Sequence, residues 1–96
     1  MSEESSYKLP NQAVWEHVAK LAIVEDKPIM MDYWVESLDK KALIGVRDSG
    51  EKLLVKNAEE YTSPISQIFK VEEVYIIVTE NSIYLTSSNI ETRRIS

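Results

Sequence analysis

Asp32 and Glu36, with Trp34 between them, come closest to a catalytic arrangement in this chain. Two carboxylates beside an aromatic ring could divide acid and base work on a sugar. The residues around them alternate apolar and polar, which predicts a strand, and positions four apart on a strand stand about 13 Å apart. Glycosidase carboxylates stand about 5–9.5 Å apart. The pair therefore reads as a solvated sheet edge. His17 is the only histidine. A serine or threonine nucleophile needs a base that is itself held by an acid, and no motif marks such partners for His17. There is no GxSxG, and two glycines, Gly45 and Gly50, cannot build a phosphate loop.

Metal chemistry fares no better. The chain has no cysteine. The acidic pairs Glu3-Glu4, Glu25-Asp26, Glu59-Glu60 and Glu72-Glu73 are neighbours in sequence, and on a strand neighbours face opposite ways. Neither an EF-hand spacing nor HExxH occurs. We expect no catalytic, metal or cofactor-binding residues and a protein that is not an enzyme.

What the chain does carry is interaction chemistry. Met30, Met31, Tyr33 and Trp34 crowd one segment, and Tyr61 lies in an irregular, polar stretch. Tryptophan and tyrosine are enriched at interaction hot spots. Met30, Tyr33, Trp34 and Tyr61 are the interface candidates, provided they reach the surface. Tyrosines could also stack bases, and Lys41, Arg47, Lys52 and Lys56 could form a small basic patch. The net charge of −5 argues against general binding to nucleic acid or anionic membrane. It suits solubility, or a basic protein partner.

The elements that position these residues follow from pattern. Ninety-six residues make one domain, with 44% apolar and 28% charged residues as in ordinary globular chains. Residues 1–9 are polar and acidic and predict a disordered tail, followed by a single domain over 10–96. Asn11 is a helix N-cap signal after Pro10. Val14, Trp15, Val18, Leu21 and Ala22 share one face, predicting an amphipathic helix from Gln12 to about Val24, closed before Pro28. Ile29, Met31, Tyr33 and Val35 then alternate, predicting a strand to Glu36. A second strand spans Lys41 to Arg47, with Gly45 as a bulge or a sharp bend. Asp48-Ser49-Gly50 turns it into a third strand, Glu51 to Lys56. Ser63-Pro64 can open a short helix in which Ile65, Ile68 and Phe69 share a face, with a strand as the competing reading.

Residues 71–88 carry the most regular pattern. Val74 to Thr79 and Ile83 to Thr86 alternate and are rich in β-branched and aromatic residues, a hairpin with Asn81 as its left-handed turn residue. Ile90 to Ile95 predicts a short last strand. The sum is an α+β fold: an N-terminal amphipathic helix packed on a strongly bent antiparallel sheet, or a small barrel, of five to six strands.

From this the function expected is that of a small, non-catalytic protein-interaction module, acting on a protein partner or as a homodimer through an unpaired edge near Ile29–Glu36 or the C-terminus. An acidic inhibitor or regulator of a nucleic-acid-handling protein, and a binder of nucleic acid or a small ligand on the sheet, are the alternatives. No apolar run approaches a membrane span, and the N-terminus is no signal peptide. We therefore expect a cytoplasmic, intracellular protein.

Overall fold

A computed structural model of the chain describes residues 9–95. The tail expected over 1–9 lies outside these residues except for Leu9, which is exposed.

Helix α1 spans Gln12–Glu25. Its cap is the one expected: the Asn11 side chain accepts from the Val14 N–H at 3.2 Å, satisfying an otherwise unpaired helix donor. Asp26 ends it in the left-handed region (φ 56°), and Lys27 N–H closes back on the Ala22 carbonyl at 3.1 Å. Val14 and Val18 are fully buried, and Trp15, Leu21 and Ala22 pack beside them, so the apolar stripe faces the core.

Among the described residues eight strands follow, with a short helix after the first: β1 (Ile29–Met30), α2 (Trp34–Leu38), β2 (Leu43–Val46), β3 (Lys52–Asn57), β4 (Glu60–Tyr61), β5 (Ile65–Val71), β6 (Val74–Thr79), β7 (Ile83–Ser87) and β8 (Glu91–Arg94). They form two four-stranded sheets, in the orders β1-β7-β6-β5 and β4-β3-β2-β8. No closed barrel forms among the described residues. Most pairings are antiparallel, but β1–β7 and β2–β8 are parallel, so the sheets are not a simple meander.

The layers follow from β6. Val74, Ile76 and Val78 face α1 in one core cluster, with Trp34, Ile83 and Leu85. Ile77 faces the second sheet in another, with Tyr33, Ala42, Ile44, Leu54 and Ile90. The first sheet thus lies between α1 and the second sheet.

Two sequence expectations fail locally. The strand predicted over Ile29–Glu36 pairs only at Ile29 and Met30, and the chain then coils into α2. Met31, Trp34, Val35 and Leu38 lie at helical spacing and all join the α1-side core, so the 3.6 period overrode the alternation. Ser37 secures α2: its Oγ donates to the Trp34 carbonyl at 2.6 Å and accepts the Ser87 N–H at 2.9 Å, all buried. Conversely, the helix favoured after Pro64 is strand β5. Ile68 pairs with Ile77 and Phe69 with Ile76, so these adjacent residues face opposite ways, and long-range pairing outweighed local spacing.

The turns also differ in detail. Asn81 is not a left-handed residue; among the non-glycine residues described, Asp26, Lys40 and Glu72 are. The β6–β7 turn is held by Thr79, whose Oγ1 accepts the Ser82 N–H at 3.2 Å. Gly50 does take positive φ, 95°. Gly45 marks a close approach rather than a bulge: a Cβ there would sit 2.7 Å from Ile95 Cδ1, while the β2–β3 register is continuous.

Trp34 is only 4% exposed. Trp34→Ala should cost about 3–5 kcal/mol, read as a lowered urea midpoint at unchanged slope. A cost under about 1 kcal/mol would contradict its place in the core.

Candidate interaction site

The four interface candidates do not come together. Tyr33 and Trp34 are buried at the start of α2, one in each core cluster, and neither offers a surface hot spot. Met30 is half-buried in β1, paired with Tyr84. Tyr61 alone is exposed, 53%, on the outer face of the second sheet near Leu53, Val55 and Ile95. The cations beside that face are matched, with Arg47 3.8 Å from Glu51 and Arg93 hydrogen-bonded to Glu91. Of the basic hairpin patch considered from the sequence, Arg47 thus faces a carboxylate. Lys56 has moved inward, its Nζ 4.8 Å from the centre of the Tyr33 ring.

Asp32 is exposed in the turn before α2 and Glu36 lies within that helix, so the strand that would have carried both is absent. His17 is exposed on α1. Among the described residues no group of three His, Cys, Asp or Glu side chains could hold a metal ion. No helix among them is long and apolar enough to cross a membrane.

The exposed apolar surface lies elsewhere, on α1 and β5. Val24 is 76% exposed and Phe69 39%. They line a cleft of about 490 Å³ with Leu21, floored by the buried Ile76. Glu16, His17 and Lys20 form its polar rim along α1. Ile23, 81% exposed, extends the apolar surface at the helix end. Water around such side chains is released when a partner covers them.

Beside this cleft runs a sheet edge that no other strand of the described residues covers. An edge strand presents unpaired N–H and C=O groups, and proteins usually blunt it by shortness or charge. Three of the four edges here are blunted so: β1 and β4 have two residues each, and β8 reads Glu91-Thr92-Arg93-Arg94. β5 is the exception, with seven residues and Lys70 as its only charge.

The hydrogen-bond directions along β5 can be read from the β6–β7 turn. Thr79 N–H donates to the Ser82 carbonyl at 2.9 Å, so Thr79 bonds toward β7. Backbone groups alternate direction along a strand, so Val74, Ile76 and Val78 bond toward β5. Their partners Val71, Phe69 and Gln67 bond inward. Ile68 and Lys70 then direct their backbone groups outward.

A scan against protein-family models found no matching family, and searches of curated proteins and of solved structures found no match. The cleft beside β5 therefore stands on its own geometry. Sequence reasoning missed it, although signals were present. Ile23 and Val24 fall off the buried stripe of α1, and two apolar residues off the stripe are a mark of exposed apolar surface. Phe69 is hidden in the sequence because Ile65, Ile68 and Phe69 also satisfy helical spacing.

The Tyr33 phenol is pushed up from 10.0 to about 12, by burial first and then by Tyr84 and the carboxylates of Glu60, Asp32 and Glu36. Its ring meets Tyr84 edge-on at 5.4 Å. Below pH 10 the phenol is protonated in folded and unfolded chains alike, and its contribution to stability is constant. Between about 10 and 12 the unfolded chain ionises first, so stability falls as pH rises. Urea unfolding across this window should show that fall for the wild type and a shallower one for Tyr33→Phe. Identical slopes would contradict the assignment.

Proposed function

We propose that the chain is a non-catalytic interaction module that receives an extended segment of a protein partner along the outer edge of β5. The observation that carries this reading is the open seven-residue edge beside the Leu21, Val24 and Phe69 cleft. Main-chain hydrogen bonds from Ile68 and Lys70 would supply affinity without regard to sequence. The cleft would supply selectivity, by accepting an apolar side chain from the incoming strand. The rim of Glu16, His17 and Lys20 would set its orientation.

The −5 charge of the whole chain fits this reading, because β5 itself carries no carboxylate. Lys70 is the only charge on the edge, so an incoming strand meets no carboxylate on β5. An intracellular, reducing setting agrees with a chain that has no cysteine.

Lys20 and Lys70 flank the cleft and the edge, which makes the proposal testable by amine cross-linking. A protein captured by the chain from host extract should cross-link mainly to Lys20 and Lys70. Cross-links concentrated on Lys40, Lys41 and Lys52 would place the partner on another surface and overturn the reading.

A further inference from the structure

We infer that the strand received at this edge is β5 of a second copy, so that the chain forms a two-fold homodimer centred on Phe69. This rests on the reading of β5 as an open, strand-accepting edge and names its occupant.

The argument is one of self-complementarity. Two copies of a strand related by a two-fold axis pair antiparallel, so each residue meets its mirror position about the centre. With Phe69 at the centre, Ile68 of one copy stands opposite Lys70 of the other, and Lys70 opposite Ile68. These are the two residues whose backbone groups point outward. Both pairs would exchange N–H and C=O bonds, and Phe69 would occupy the non-hydrogen-bonded position between them. There the two Phe69 rings stand closest, on the α1 side of the sheet, where aromatic pairs stabilise strand pairing. Gln67 meets Val71. The half-exposed Phe69 is thereby covered by its own copy, next to Val24 and Leu21 of both helices.

Charge permits this pairing where it would oppose others. The chain is acidic overall, so copies repel over most of their surface. In this register Lys70, the one charge of β5, faces Ile68 rather than another lysine. Glu72 and Glu73 lie beyond the strand end, and the mirror relation sets them beside Ser66 and Ile65 of the other copy. No carboxylate meets a carboxylate across the paired strands. The other edges do not offer this. β1 and β4 are too short, and β8 bears three charges in four residues.

The absence of cysteine gives a direct test on the full-length chain. Opposed residues at a non-hydrogen-bonded position have Cα atoms about 4.5 Å apart, within disulfide reach. Phe69→Cys should therefore oxidise to a covalent dimer at least about tenfold faster than Gln67→Cys, whose copies would lie four positions apart. By light scattering the wild type should reach twice the chain mass as concentration rises. Phe69→Glu and Phe69→Lys should each stay at the single-chain mass with unchanged circular dichroism, and an equimolar mixture should return to twice that mass. A wild type that stays at single-chain mass at every concentration would overturn the inference, as would equal oxidation rates for the two cysteine variants. A dimer that persists in Phe69→Glu would also overturn it. The strand-accepting edge itself would still stand if cross-links from a different protein fell on Lys20 and Lys70.

Discussion

β6 has to bury both of its faces: Ile76 and Val78 point one way, Ile77 the other, and all three are fully withdrawn from water. Each side chain contributes about 1.5–3 kcal/mol by burial, and none can do so unless a layer covers its face. α1 and α2 cover one side, and the second sheet covers the other. β5 and β7 are held in place by pairing with β6. Tyr33 and Trp34, adjacent in the chain, serve opposite sides of the sheet and join the two cores at the start of α2.

This constraint leaves a remainder. α1 lies across the first sheet with its stripe turned inward, but its last turns carry Ile23 and Val24 outside the stripe. Among the described residues β5 pairs with β6 on one side only. Folding therefore uses the inward-bonding groups of β5 and leaves the outward backbone groups of Ile68 and Lys70 over, with Phe69 partly exposed on the α1 side. Residues that folding does not need, and that solvent does not favour, are where an interaction surface is to be sought. The blunted edges β1, β4 and β8 sharpen the contrast, because the same chain protects three edges and leaves the fourth long and nearly uncharged.

Much of the fold was legible in the sequence. Asn11 and the Val14–Ala22 stripe located α1, Gly50 located the β2–β3 turn, and the alternation in 74–86 located β6 and β7. Two segments misled for one physical reason: short apolar runs satisfy both periods. Ile29 to Leu38 reads as a strand through Met31, Tyr33 and Val35, and as a helix through Met31, Trp34 and Leu38. Only the need to cover β6 decides between them. Ile65 to Val71 reads as a helix through Ile65, Ile68 and Phe69 until Val74–Thr79 offers it a pairing partner. The parallel pairings of β1 and β8 join segments distant in sequence, and no local pattern announces them. Two of the interface candidates, Tyr33 and Trp34, are buried for the same reason as the elements differ. Tyr33 and Trp34 were placed on a strand that does not form, while Phe69 was placed on a helix that does not form.

Amide hydrogen exchange along β5 tests the central claim most directly, because it reads the strand's two edges separately. In dilute solution the Phe69 and Val71 amides, bonded to β6, should exchange slowly, and those of Ile68 and Lys70 should exchange fast. Raising the protein concentration should slow Ile68 and Lys70 while leaving Phe69 and Val71 unchanged. Slow exchange at all four in dilute solution would mean that the edge is already covered within the chain. Fast exchange of Ile68 and Lys70 at every concentration would mean that no second copy pairs with it.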